Sequence, residues 1–158
     1  SLSSGSAPVT LESQVDTFSA KLVYTGFRKA CHSKYRFDSS DEARLAYLLD
    51  YDESVEDWMR PASNQFDGLY WRDEDGDSQH RYEPDFVVEL EEEIVMIEVK
   101  PEGEITASSV QAKKVTAEKY CEVVNRNIGK LGIVKPWRYI IIPTERIMIH
   151  STIDGLLH

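Results

Sequence analysis

The chain is poor in cysteine, in basic side chains and in long apolar runs, and each scarcity removes a class of protein. Cys31 and Cys121 lie far apart, with no second cysteine or metal-spaced histidine near either. That excludes a disulfide framework and a zinc site, and leaves two reduced, partly buried thiols as the expectation. No run of about 18 apolar residues is present to cross a bilayer. The polar opening SLSSGSAP has neither the basic start nor the apolar stretch of a secretory signal, so a cytoplasmic location is expected. Repeats and low-complexity segments are also lacking. What remains, 158 residues with 41% hydrophobic and 29% charged, is enough for one globular domain and one core. We place that domain at 20–158, with 1–19 a lead-in or linker in a piece of a longer protein.

Positive charge is not only scarce but displaced. Residues 1–99 hold 9 Lys and Arg against 22 Asp and Glu, whereas 100–146 hold 9 against 5. A phosphate-facing surface is therefore expected in the second half.

Periodicity supplies the scaffold. In FDSSDEARLAYLLDYD, Ser39 or Ser40 caps a helix whose first turn carries Asp41 and Glu42, while Ala43, Leu45, Ala46, Leu48 and Leu49 form its apolar stripe. VEDWMRP and QFDGLYW read as strands, and QFDGLYW is expected to form a hairpin with RYEPDFVVEL across an acidic turn. The turn DEDGDSQHRYE spaces Asp73, Asp75 and Asp77 like a calcium loop. It has Ser78 and Pro84 where such a loop needs Gly and Glu, so it reads as a solvated turn. EEEIVMIEVKP alternates Ile94, Met96, Glu98 and Lys100 with Val95, Ile97 and Val99. A helix over 107–128 packs through Val110, Val115, Ala117, Tyr120, Cys121, Val124 and Ile128. WRYIIIP follows as a strand, and RIMIHSTIDGLLH as a strand or short helix. KLVYTGF and LESQVDTF are each a strand or short helix. The order helix, three strands, helix, strand implies α/β architecture with a mixed central sheet flanked by helices.

Within those strands, Asp85, Glu98 and Lys100 call for explanation, because buried charges need partners. Pro84 removes a ladder donor just before Asp85, and a hairpin around LEEEI brings Asp85 to the same end as Glu98 and Lys100. Two converging carboxylates are hard-oxygen ligands for Mg²⁺ or a substituting Mn²⁺, with the Val99 carbonyl as a third, and Lys100 orients water or offsets phosphate charge. Read alone, Glu98 and Lys100 would be a surface ion pair worth about 0–1 kcal/mol. Lys113 and Lys114 are candidate phosphate contacts; Arg126, Lys130, Lys135 and Arg138 are weaker ones. Trp58, Trp71 and Trp137 read as core or cleft walls.

Pro84–Asp85, with Glu98-Val99-Lys100 beyond it, resembles the signature of the PD-(D/E)xK nuclease superfamily. YRFDSSDEARLAYLLDYDESVEDWMRP, YEPDFVVEL, IEVKP, AEKYCEVVN and WRYIII together resemble the C-terminal endonuclease domain of type III restriction enzyme Res subunits, over about 20–142. The resemblance implies a restriction-endonuclease-like fold and Mg²⁺-dependent cleavage of double-stranded DNA. It makes Asp85 and Glu98 the metal ligands, Lys100 the catalytic lysine and Glu42 an additional acid from the first helix. It further implies a helicase motor in the same longer chain, to which ATP belongs, and a methyltransferase or specificity subunit as partner. A transposon-end or repair nuclease of the same superfamily, and a non-catalytic DNA-binding module on the same fold, remain as alternatives.

Overall fold

A computed structural model describes residues 6–8, 23–61, 70–72, 79–81, 83–130 and 132–158. Its strands are β1 (Ser6–Pro8), β2 (Val23–Thr25), β3 (Lys34–Tyr35), β4 (Val55–Met59), β5 (Tyr70–Arg72), β6 (Gln79–Arg81), β7 (Phe86–Leu90), β8 (Ile94–Lys100) and β9 (Trp137–Pro143). The helices are α1 (Ser40–Tyr51), α2 (Ser108–Arg126) and α3 (Ile153–Leu157). No helix among the described residues is long and apolar enough to cross a membrane.

The central sheet has the order β4-β7-β8-β9, antiparallel except for the parallel pair β8 and β9. A parallel neighbour needs a crossover, and α2 supplies it. The chain is thus α/β, with a mixed four-stranded sheet flanked by helices. Alternation along β8 divides the core as expected from its sequence. Val95, Ile97 and Val99 join Leu45, Leu49 and Phe86 in one cluster, while Met96 meets Val87, Ala117 and Cys121 in a second cluster on the α2 side.

All five residues of the expected α1 stripe are buried. Ser39 caps the helix, its Oγ accepting from the Glu42 amide at 3.2 Å. Asp50, which sequence reasoning passed over, is fully buried. Its carboxylate accepts from the Arg28 and Lys29 amides at 2.9 and 2.8 Å and from the Trp58 indole at 3.2 Å, tying the chain before β3 to α1 and β4.

Several expectations are corrected. The hairpin of β5 does form, with Tyr70 opposite Arg81, but its second strand is β6 and ends at Arg81; the run from Phe86 to Leu90 is a separate strand, β7, that pairs with β4 and β8. Val115 on the second helix is exposed, because the buried stripe passes through Val110, Ala117 and Cys121, and Ile128, expected on that helix, is exposed beyond its end at Arg126. Cys31 is exposed, whereas Cys121 is buried. KLVYTGF contributes β2, and the tail forms a 3₁₀ turn at Thr144–Arg146 followed by α3. The segment LESQVDTF, the aspartates 73, 75 and 77, and the side chain of Trp71 lie outside what is described.

Candidate metal centre

The site grows from the end of one hairpin. Leu90 donates to the Glu93 carbonyl at 2.8 Å across the β7–β8 turn, and the ladder closes with Phe86 opposite Ile97. The next residues outward are Asp85 and Glu98. With no amide hydrogen on Pro84, the chain ahead of β7 cannot extend the ladder, and Asp85 takes the vacant partner. Its Oδ2 accepts from the Val99 amide at 2.8 Å. That bond leaves Oδ1 available for another ligand.

Glu98 is 4% exposed, and its Oε2 is buried with no hydrogen-bond partner. Such an atom is costly unless something positive completes it. The Lys100 ammonium stands 3.9 Å from Oε1, too far for a tight pair. Burial first, and then the Asp85 charge, push the Glu98 carboxyl up to about 8, even though the cations of Lys113 and Lys100 pull it down. Asp85 is raised to about 6, by burial and then by the charge of Glu42, against the Val99 amide, Arg60 and Lys100. Two adjacent acids held partly protonated near neutrality form a pair that a divalent cation would ionise.

Glu42 joins them from α1. It serves the helix start, accepting the Asp38 amide at 3.0 Å, and the same Oε2 accepts from Arg60 Nη1 at 2.8 Å. Arg60 also reaches Asp38 at 2.8 Å and lies over the rings of Phe37 and Phe86. Among the described residues no three His, Cys, Asp or Glu side chains gather as a coordinating group. With one oxygen of Glu42 held by Arg60 and the Asp38 amide, the side chains that could hold a cation are Asp85 and Glu98. The orphaned Glu98 oxygen and this hard-oxygen set fit Mg²⁺ or Mn²⁺.

The structure thus gathers Glu42, Asp85, Glu98 and Lys100, and adds two groups. Lys113, on the face of α2 toward Met96, is close enough to bias Glu98. Arg60 is a group that sequence reading missed, since an arginine at a strand end carries no signal of its own. Lys114 instead lines a separate cavity of about 290 Å³ with Glu118, Ile105 and Tyr139. Two of the weaker phosphate candidates are already neutralised. The Lys135 ammonium contacts Glu56 at 3.0 Å and Glu89 at 2.8 Å, and Arg138 forks onto Glu93 at 2.9 and 3.1 Å. Arg126 and Lys130 are exposed. Trp58 is a core residue, and Trp137 lines a groove beside it.

No protein-family model, curated protein or solved structure matches the chain.

Proposed function

We propose that this domain is a metal-dependent endodeoxyribonuclease of the PD-(D/E)xK kind, on a restriction-endonuclease-like fold. The observation that carries the reading is the buried, unpartnered Oε2 of Glu98 beside Asp85, with Lys100 3.9 Å from the other Glu98 oxygen. Asp85, Glu98 and the Val99 carbonyl would hold Mg²⁺. When bound, the ion supplies Lewis-acid polarisation of a phosphoryl oxygen and lowers the pKa of water. Asp85 and Glu98 must both be ionised to hold it, which the metal-free site resists and the cation reverses. Lys100, anchored on an inner strand, positions a permanent positive charge to orient water and offset charge developing on a scissile phosphate. Glu42 acts from the side, setting the local charge at Asp85 and fixing Arg60.

The finer reading is a type III restriction Res subunit nuclease domain, working with a helicase motor in the same longer chain and a methyltransferase partner on double-stranded DNA. Its support is the run of motifs from YRFDSSDEARLAYLL to WRYIII. The test is nicking of supercoiled plasmid in Mg²⁺ against EDTA, with Asp85→Asn and Glu98→Gln as controls. Mg²⁺-dependent nicking lost in both variants is expected. Persistent nicking by either variant, or no cleavage by the full-length subunit, overturns the assignment.

A further inference from the structure

The basic surface expected over 100–146 is thinner than its composition suggests, because Lys135 and Arg138 are spent on acids of β4, β7 and the β7–β8 turn. The most concentrated open positive charge near the candidate centre comes from the acidic half of the chain. A cavity of about 410 Å³ is lined by His32, Lys34, Tyr35, Arg36, Arg60 and Pro61; among the described residues no carboxylate lines it, and Asp38 is bonded to its Arg60 at 2.8 Å. Lys34 and Arg36 are exposed, and neither has an ion-pair or hydrogen-bond partner among the described residues. Tyr35 is buried, and its hydroxyl accepts the His32 amide at 3.2 Å, fixing the short turn that carries these cations.

Position decides what the cavity is for. Its inner wall is Arg60, whose guanidinium is bonded at 2.8 Å to Glu42, and Glu42 in turn acts on Asp85. Arg60 also stands 5.8 Å from the ring of Phe86, the residue after Asp85, so Arg60 and Glu42 lie between the cavity and the carboxylate pair. A polyanion seated over Lys34 and Arg36 would run directly onto the candidate centre.

We infer that this cavity seats the backbone phosphates next to the scissile one, so that DNA enters over the turn 32–36 and not along the exposed face of α2. This rests on the nuclease reading above. Phosphate neutralisation governs non-specific DNA affinity, and each neutralised phosphate adds about 0.9 to the slope of log K against log salt. The test uses a labelled 20-base-pair duplex in fluorescence anisotropy, with Ca²⁺ in place of Mg²⁺, from 20 to 200 mM salt, on the wild type, on Lys34→Ala/Arg36→Ala, and on the charge-matched Lys119→Ala/Lys130→Ala.

Removing Lys34 and Arg36 should flatten the slope by about 1.8 and weaken binding at least about tenfold at 0.1 M salt. Both residues are exposed, so the melting temperature should hold. An equal or larger loss in Lys119→Ala/Lys130→Ala overturns the inference and leaves the nuclease reading standing, provided the wild type cleaves. Unchanged affinity and slope in Lys34→Ala/Arg36→Ala do the same. A wild type that neither binds nor cleaves DNA overturns both.

Discussion

Replacing Glu98 by Gln keeps the shape of a buried side chain but removes its charge, so it isolates what ionising that carboxyl does to the metal-free fold. Charging it costs about 1.4 kcal/mol for every pH unit by which its pKa is displaced. Displacement from 4.5 to about 8 bounds the cost at about 5 kcal/mol. Proton sharing with Asp85 and local relaxation reduce this to about 1–3 kcal/mol. The sign follows from the raised value. Glu98 binds its proton more tightly folded than unfolded, so its stabilising share is complete below about 4.5 and is lost as pH rises through about 8. Asp85 adds a loss in the same direction between about 4 and 6. In EDTA, wild-type stability should therefore fall from pH 4.5 to 8.5. Glu98→Gln should melt close to wild type at pH 4.5 and about 2–12 °C higher at pH 8.5, given about 2–4 °C per kcal/mol for a domain of this size. Circular-dichroism melts at half-unit pH steps read this directly. A difference that does not change with pH, or a variant that melts lower at pH 8.5, refutes the reasoning.

Other outcomes follow from the same geometry. Lys100→Ala should slow nicking by about 10²–10³-fold with Mn²⁺ affinity changed little, measured by plasmid relaxation beside metal titration. Arg60→Ala strips Glu42 of its cation and the rings of Phe37 and Phe86 of their cover; it should lower the melting temperature and raise the pH midpoint of metal binding, since the Arg60 charge holds Asp85 down. Asp50→Ala leaves two amides and an indole unpaired, so urea denaturation should show a loss of about 3 kcal/mol or more with no change in metal affinity per folded chain. Mn²⁺ affinity itself should rise with pH up to about 8, because the ion displaces the protons of Asp85 and Glu98.

Much of this was legible in the sequence where one local rule acted alone. The α1 stripe, the two faces of β8 and the meeting of Asp85 with the Glu98 end of its hairpin follow from period 3.6, period 2 and the missing amide of Pro84. The extent of the β5 hairpin was not legible, because β6 is the polar triplet Gln79-His80-Arg81 with no apolar signal of its own, and only tertiary packing sends the apolar β7 to the central sheet. Arg60 and Asp50 escaped for a related reason. Their meaning lies in contacts made 18 and 22 residues away, with Glu42 and with the Arg28 amide. Charge counting misled about 100–146, since it cannot tell a free lysine from one held by Glu56 and Glu89 as Lys135 is. It likewise hid the cluster of Lys34 and Arg36 within a strongly acidic half.

The most direct measurement is a Mn²⁺ titration of the metal-free chain at pH 8, followed by electron paramagnetic resonance and repeated on Asp85→Asn and Glu98→Gln. The account predicts one ion bound per wild-type chain, with affinity reduced at least about tenfold in each variant while both stay folded. A folded wild type that binds no Mn²⁺, or variants that bind it as tightly, would contradict the claim that Asp85 and Glu98 form a metal centre.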